Sequence, residues 1–249
     1  MPQKYEIFAD YLAQFCKFVI NEKFSDMEIL IEDVIKEAAP SLEVVTVEGV
    51  VDNVATDDEL WQLLLAEGER VRATYAMADI ARRPAIAATR AAYKALGKEP
   101  NRYRPSSEAL CRRLVKGMEL YRINALVDII NLISVRSGYS IGGFDADKIE
   151  GARRGLGAGS EGEPFEAIGR GELNIASLPI YRDAVGGIGT PTSDNERTKL
   201  DISTRRLLMC INIYGVEMSA DDTVELTREL LERYCNARNI CVTHYNIQP

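Results

Sequence analysis

The segment Arg122–Arg136 constrains the fold more than any other part of the chain, because its apolar residues lie around nearly the whole circumference of a helix. A helix of this kind is buried, so other elements must cover it on all sides. Asn124, Asp128 and Asn131 nevertheless fall at i, i+4 and i+7, on one stripe of this helix. Buried polar groups need hydrogen-bond partners, so the stripe either lines a cleft or ties the helix to neighbouring loops.

The chain changes texture at Ser137, where helical periodicity gives way to short apolar segments separated by glycines. Glycine serves turns and bulges, so the second half is expected to be rich in β-structure. Helices are predicted over Tyr5–Asn21, Asp33–Ala38, Leu60–Arg83, Ile86–Leu96 and 106–116 (capped by Ser106), with a C-terminal helix opened by Ser219 and Asp222. Strands are predicted over Glu28–Glu32, Leu42–Val51, Ile175–Tyr181, Lys199–Ile202, Leu207–Tyr214 and Ile240–Tyr245.

Charge is distributed unevenly along the chain. The formal net charge of −8 argues against a general nucleic-acid binder, because neutralising phosphates requires clustered Lys and Arg. Residues 82–136 nevertheless hold 12 basic and four acidic side chains, whereas residues 1–81 hold six basic and 17 acidic ones. The basic segment is typical of a local polyanion site, and also of arginines that pair with carboxylates such as Glu108. The candidates for binding phosphate are Arg102, Arg104, Arg112 and Arg113.

Several kinds of site are disfavoured by the composition. A single histidine, His244, argues against a Ser-His-Asp device or a multi-histidine metal site, and no phosphate-binding Gly-x-x-x-x-Gly-Lys loop is present. The five cysteines include no Cys-x-x-Cys pair. We therefore expect no metal and no cofactor, with any hydrolysis performed by a positioned water. No apolar run could span a bilayer and the first residues lack a signal-peptide pattern, so a cytoplasmic protein without a membrane partner is expected, its oligomeric state open.

A series of short motifs, taken in chain order, resembles a known family. The motifs are Tyr93-Lys94…Leu96-Gly97, Arg102–Arg113, Ile123-Asn124…Asp128…Asn131, Phe144–Gly151 and Gly162-Glu163-Pro164-Phe165. Together they resemble the B3/B4 domain of the phenylalanyl-tRNA synthetase β subunit, and still more its free-standing relatives, over roughly residues 80–214.

This resemblance implies an α+β fold, with a helical N-terminal part and a β-sandwich or mixed sheet of the B3/B4 type flanked by helices. Residues 1–81 would form an acidic helix and strand segment packed on the main domain. Residues 82–249 would form the B3/B4-like domain, with a basic part (82–136), a glycine-rich β part (137–215) and a C-terminal helix and strand (216–249). We expect one compact unit.

The resemblance also implies a function. In the synthetase, this domain hydrolyses tyrosine wrongly esterified to phenylalanine tRNA, using a bound water and the terminal ribose. This chain would accordingly bind a tRNA 3′ end and hydrolyse mischarged aminoacyl-tRNA in trans, although Gly142 stands where the family carries its editing histidine. Two alternatives stay open: an RNA-independent binder or hydrolase of amino acids or amino-acyl derivatives, and a non-catalytic interaction module.

The candidate site residues form two groups. Asn124, Asp128 and Glu163 are the candidate catalytic residues, because amides and carboxylates orient water or transfer protons; structural hydrogen bonds or solvated surface are the alternatives. The substrate pocket is expected around glycines that resemble the family's pocket segments and in a polar loop before Lys199. Its candidates are Gly142, Gly143, Asp145, Gly186, Gly187, Asn195 and Thr198.

Overall fold

Two four-stranded β-sheets and a layer of helices make up the part of the chain that the computed structural model describes, residues 28–151 and 153–247. The predicted helix Tyr5–Asn21 lies outside these residues. In chain order the elements are β1 (Glu28–Ile31), α1 (Asp33–Ala38), β2 (Glu43–Val50), α2 (Asp58–Thr74), α3 (Pro84–Ala95), α4 (Ser106–Val115), α5 (Ala125–Ser137), β3 (Ser140–Asp145), β4 (Arg153–Ala158), β5 (Glu166–Ala167), β6 (Gly171–Glu172), β7 (Pro179–Arg182), β8 (Gly187–Gly189), β9 (Arg206–Ile213), α6 (Ala220–Cys235) and β10 (Arg238–Asn246). Single 3₁₀ turns occupy Ile80–Arg82, Ala146–Lys148 and Glu196–Thr198.

The two larger sheets pack face to face as a sandwich. The first sheet has the order β1-β4-β7-β8, with β1 and β4 parallel and the other neighbours antiparallel. The second sheet has the order β10-β2-β9-β3 and is antiparallel throughout, and β5 and β6 pair separately. The core between the sheets contains Leu156 and Tyr181 from the first sheet and Phe144 and Leu208 from the second. The predicted α+β class, with sheets flanked by helices, is confirmed.

Strands β2 and β9 are apolar on both faces, because the second sheet is the middle layer of the molecule. Val44 and Leu208 pack toward the first sheet, whereas Val45 and Met209 pack toward the helices. Successive residues of a strand point to opposite faces, so a strand covered on both sides is a nearly continuous apolar run. This explains the β-branched run at the predicted strand Leu42–Val51.

Helix α5 is buried, as its all-round apolar sequence predicts. It packs against α2, α4, α6 and β3, and Ile129, Ile133 and Val135 have no exposed surface. Asn124 caps its first turn by accepting the N–H of Val127, and Gly138 ends it in the left-handed conformation at φ 75°. Because α5 lies beside β3, the groups on this side of the helix face the same space as the β3 backbone.

The predicted helix Leu60–Arg83 is too long. Helix α2 ends at Thr74, and Tyr75 is extended (φ −121°, ψ 132°). The carboxylate of Asp79 accepts the N–H of Ala76 at 3.0 Å, which closes a local turn in place of the next helical turn.

Two further local predictions are wrong. Ser106 is not the cap of α4, because Pro105 holds that position and the Ser106 N–H donates to the Pro191 carbonyl at 2.7 Å. The segment Lys199–Ile202 is a loop with a single bridge between Phe144 and Lys199. There the N–H of Ser203 donates to Asp201 in an Asp-type turn, which competes with strand pairing.

Candidate functional site

A cavity of about 560 Å³ lies between α5, the first turns of α4, β3 and the loop that follows β8. Much of its wall is apolar, and this surface is supplied by Leu110, Val127, Ile130, Ile141 and Leu200. The volume and the mixture of apolar wall with a few polar groups are typical of small-molecule sites.

The loop that follows β8 is fixed by hydrogen bonds to two helices. Its Thr190 hydroxyl accepts the N–H of Thr192 at 3.1 Å, and the Thr192 hydroxyl shares a hydrogen bond of 3.0 Å with the hydroxyl of Tyr93 on α3. The Pro191 carbonyl accepts the N–H of Ser106 on α4 at 2.7 Å. Polar groups of this loop are therefore held in place before any ligand arrives.

Asp194, near the end of this loop, places a carboxylate in the cavity wall. Its Oδ2 accepts the N–H of Gly143 on β3 at 3.1 Å, and its backbone carbonyl accepts the N–H of Ile168 at 3.1 Å. Withdrawal from water raises the pKa of Asp194 to about 7, against the smaller opposite effect of the Gly143 N–H. The carboxyl group therefore titrates close to neutral pH.

A second concavity of about 410 Å³ continues the cavity, and we call it the groove. The groove adds Arg113, Tyr121 and Arg170 to the lining. The Arg113 guanidinium lies 4.3 Å from the centroid of the Tyr121 ring, and Tyr121 is 68% exposed. An exposed ring beside guanidinium groups suits a base and a phosphate. Residues that line both the cavity and the groove are Ser106, Leu110, Ile123, Asn131 and Thr192.

The structure does not bring the three candidate catalytic residues together. Asn124 lines the cavity, although its side-chain oxygen caps α5. Asp128 accepts hydrogen bonds from the Thr56 hydroxyl at 2.5 Å and from a backbone N–H, and burial raises its pKa. Glu163 pairs with Arg182 at 2.7 Å, and that hydrogen bond lowers its pKa. Asp128 and Glu163 are both engaged outside the cavity lining.

Of the seven candidate pocket residues, Gly143 lines the cavity. Gly142 is its neighbour on β3, and Asp145 binds Lys148 and the Thr204 hydroxyl at the end of that strand. The other four lie at β8 or next to it. The Gly186 N–H donates to Asp183, and Gly187 pairs with Arg182 on β7. The Asn195 N–H and the Thr198 hydroxyl both donate to the Ile188 carbonyl on β8. These four support the loop that carries Asp194.

The four candidate arginines have different surroundings. Arg112 donates to the fully buried Glu108 at 2.7 Å, and Arg90 donates to the other oxygen of that carboxylate at 2.8 Å. Arg113 lines the groove. Arg102 and Arg104 are exposed in the segment that precedes α4.

Four residues used in this description of the site were not among the sequence candidates: Asp194, Asn131, Tyr121 and Arg170. Asp194 is the first residue of the polar segment that supplied the predicted pocket residues Asn195 and Thr198. No local sequence pattern distinguishes these three residues from one another. Asn131 belongs to the polar stripe of α5 and lines both cavity and groove. Arg170 lies outside the basic segment, in the turn between β5 and β6, so charge counting gave no signal for it.

Within residues 28–151 and 153–247, no group of three or more His, Cys, Asp or Glu side chains is arranged to hold a metal ion. No helix in this part of the chain is long and apolar enough to cross a membrane.

Comparison with known proteins gives one family. The sequence model of the B3/4 domain matches residues 88–234. The phenylalanine–tRNA ligase beta subunit of Bartonella henselae is 38% identical over 89 residues, which are 35% of this chain and 11% of that subunit. An N-terminal fragment of the phenylalanyl-tRNA synthetase beta subunit from Pyrococcus horikoshii aligns with 87% of this chain and 50% of the fragment, at 12% identity and a TM-score of 0.43. The chain thus spans about a tenth of the curated relative and half of the solved fragment.

Proposed function

The chain belongs to the B3/4 domain family, and on this premise we propose that it binds the 3′ end of an aminoacyl-tRNA and hydrolyses the ester in trans with a positioned water. The observation that carries the proposal is the continuity of the cavity with the groove. An aminoacyl group would occupy the cavity, and the terminal nucleotides would lie in the groove. The name of the Bartonella relative makes phenylalanine tRNA the first substrate to test.

Asn131 supports this placement of the substrate. Asn131 lines both the cavity and the groove, so in the proposed complex its amide would lie at the boundary between amino acid and ribose. The ester bond joins these two parts of an aminoacyl-tRNA. An amide N–H aimed at the ester carbonyl oxygen would stabilise the negative charge that develops there during hydrolysis.

The groove supports binding of a single-stranded RNA end. Arg113 and Arg170 supply positive charge, and the exposed ring of Tyr121 offers a stacking surface for a base. Arg102 and Arg104, exposed before α4, would extend the positive surface toward the acceptor stem.

The proposed reaction needs no covalent enzyme intermediate. Water attacks the ester carbonyl carbon, the bond from that carbon to the ribose oxygen breaks, and the ribose oxygen takes up a proton. The products are the free amino acid and the uncharged tRNA. We assign Asp128 and Glu163 to structural hydrogen bonds on the basis of their contacts, and we keep Asn124 and Asn131 as the polar groups beside the reacting ester.

The proposal is tested by incubating the protein with tRNAs charged with tyrosine, phenylalanine or other amino acids, and by measuring release of the amino acid. Tyrosine on phenylalanine tRNA is the first pairing. The double variant Arg113→Ala/Arg170→Ala should weaken tRNA binding about tenfold or more, since phosphate contacts supply much of such affinity. Arg238→Ala on β10, exposed and paired with Asp52 away from the groove, is the control. No turnover and no salt-sensitive tRNA binding would refute the proposal.

The RNA-independent alternative is favoured by the net charge of −8. Free amino-acid esters assayed beside the charged tRNAs distinguish the two. If the protein hydrolyses the esters as efficiently as it hydrolyses the tRNA substrates, and if the groove variant leaves both rates unchanged, the small-molecule function holds.

A further inference from the structure

We propose that Asp194 makes the cavity selective for ligands that carry a protonated primary amine beside an uncharged carbonyl group, and that it excludes ligands with a free carboxylate. The inference rests on the proposed function, because such a ligand is the aminoacyl part of an ester. It adds the residue that recognises the amine and the chemical form of amino acid that the site accepts.

The first support is the unused hydrogen-bonding capacity of this carboxylate. An ionised carboxylate can accept about four hydrogen bonds. Among the described residues, the Gly143 N–H is the one donor to the Asp194 side chain. A half-buried carboxylate with one protein donor has unfilled acceptor positions, so a ligand that supplies further N–H groups gains affinity.

The second support is the niche that holds the carboxylate. A Cβ atom at Gly189 would lie 2.7 Å from Asp194 Oδ1 and 2.5 Å from the Phe144 ring, and one at Gly142 would lie 3.4 Å and 2.7 Å from the same two groups. Strands β3 and β8 therefore each have a glycine where they approach this carboxylate. The observed position of the Asp194 side chain requires the space that these two glycines leave.

The third support is the absence of a cation committed to Asp194 within the described lining of the cavity. Lys199 forms an ion pair with Glu196. Asp201 pairs with Lys148 at 2.6 Å, and these hydrogen bonds keep its pKa low. Tyr181 and Cys210 interact electrostatically with Asp194. Burial raises the pKa values of both groups, so both are neutral near pH 7 and neither supplies a charge to the site. A ligand ammonium would thus provide the counter-charge.

The same charge discriminates against free amino acids. In a zwitterion the carboxylate is bonded directly to the amine-bearing carbon, with its oxygens about 3 Å from the nitrogen, so an amine bound to Asp194 brings a second negative charge close to the first. An ester or amide removes that repulsion. N-acylation removes the ammonium charge and with it the attraction.

The test uses calorimetric titration of the full chain at pH 7.5, where most of the ligand amine (pKa about 8) is protonated and most of Asp194 is ionised. The ligands are L-leucinamide, L-leucine and N-acetyl-L-leucinamide; L-phenylalaninamide and L-tyrosinamide extend the series to larger side chains. Each probe carries a primary amide or a free carboxylate in place of the ester, so the probes do not hydrolyse during the titration. Leucine is chosen because the cavity wall is largely apolar. We expect at least one amino-acid amide to bind at least tenfold more tightly than its free acid and its N-acetyl derivative.

Asp194→Asn should reduce the affinity for that amide at least tenfold, while its side-chain oxygen can still accept the Gly143 N–H, so the fold is retained. Asp201→Asn removes an equal charge from the same cavity and should change the affinity less than threefold. In the wild-type protein, the amide should bind more tightly at pH 7.5 than at pH 6, because Asp194 must be ionised while the ligand amine stays protonated.

Equal affinity for amide and free acid, no binding of any amide, or an Asp194→Asn variant that binds like the wild type would each overturn the inference. The outcome is separate from that of the tRNA assay. Deacylation without Asp194-dependent amine binding would refute this inference alone, and Asp194-dependent amide binding without tRNA activity would refute the proposed function alone.

Discussion

Asp194 depends on its neighbours for its position, and Gly189 is the most restrictive of them. A methyl group at Gly189 would meet both the carboxylate and the Phe144 ring at less than 3 Å. Gly189→Ala should therefore displace Asp194, lower affinity for the bound amide at least tenfold, and destabilise the fold by about 1–3 kcal/mol, as overpacking does. Titration and thermal unfolding measure the two effects.

Gly155→Ala is the matched control for that substitution. Its added methyl would lie 3.7 Å from the nearest atom, Glu32 Oε1, which is ordinary contact. If the Gly189→Ala variant binds the amide as tightly as the Gly155→Ala variant does, the proposed niche is contradicted.

The raised pKa of Asp194 also predicts a pH dependence of stability. The folded pKa is about 7 and the ordinary value is 3.8, so between these values the folded state holds a proton that the unfolded state has lost. Stability therefore falls as pH rises from about 4 to above 7. Asp194→Asn removes this loss, so it should stabilise the protein more at pH 8 than at pH 5, by about 1–2 kcal/mol with partial solvent access.

Chemical denaturation of both proteins at pH 5 and pH 8 measures this difference. An Asp194→Asn substitution whose effect on the free energy of unfolding is the same at both pH values would contradict a titration near neutrality.

At the scale of elements, α4 separates two neighbouring arginines with different tasks. Arg112→Ala leaves the fully buried Glu108 with Arg90 as its remaining partner, so it should cost about 2–3 kcal/mol of stability without changing RNA affinity. Arg113→Ala should instead lower RNA affinity and leave stability nearly unchanged, because Arg113 lines the groove and its charge is partly exposed. Denaturation and tRNA titration of both variants give the comparison.

The sequence predicts the elements better than it predicts the site. The burial of α5 follows from an apolar periodicity that is local, and this prediction is confirmed. The site depends on contacts across the chain, such as the Gly143 N–H that meets Asp194 from 51 positions away. Asn195 lies beside Asp194 in the same polar segment but faces β8, and only the register of the loop decides which of the two reaches the cavity.

At the scale of the whole molecule, the proposed RNA binding would use a small positive surface on a protein whose net charge is negative. The groove and its approach hold Arg102, Arg104, Arg113 and Arg170, against a net charge of −8. With about 0.7 counterions released per phosphate contact on a single strand, the logarithm of tRNA affinity should fall with the logarithm of salt concentration with a slope of about −3. Titrations at several salt concentrations measure this slope. A slope near zero would contradict binding of RNA phosphates by these arginines.

The middle layer of the sandwich has a consequence for how the chain reaches this structure. Strands β2 and β9 are covered on both faces. A register shift of one residue between them would therefore move apolar side chains from one hydrophobic core to the other, without exposing them to water. Correct alignment must then come from polar groups such as Asn212, which donates to the Ser140 carbonyl and accepts the Tyr181 hydroxyl. We expect misaligned, compact kinetic traps on refolding, with alignment slower than collapse.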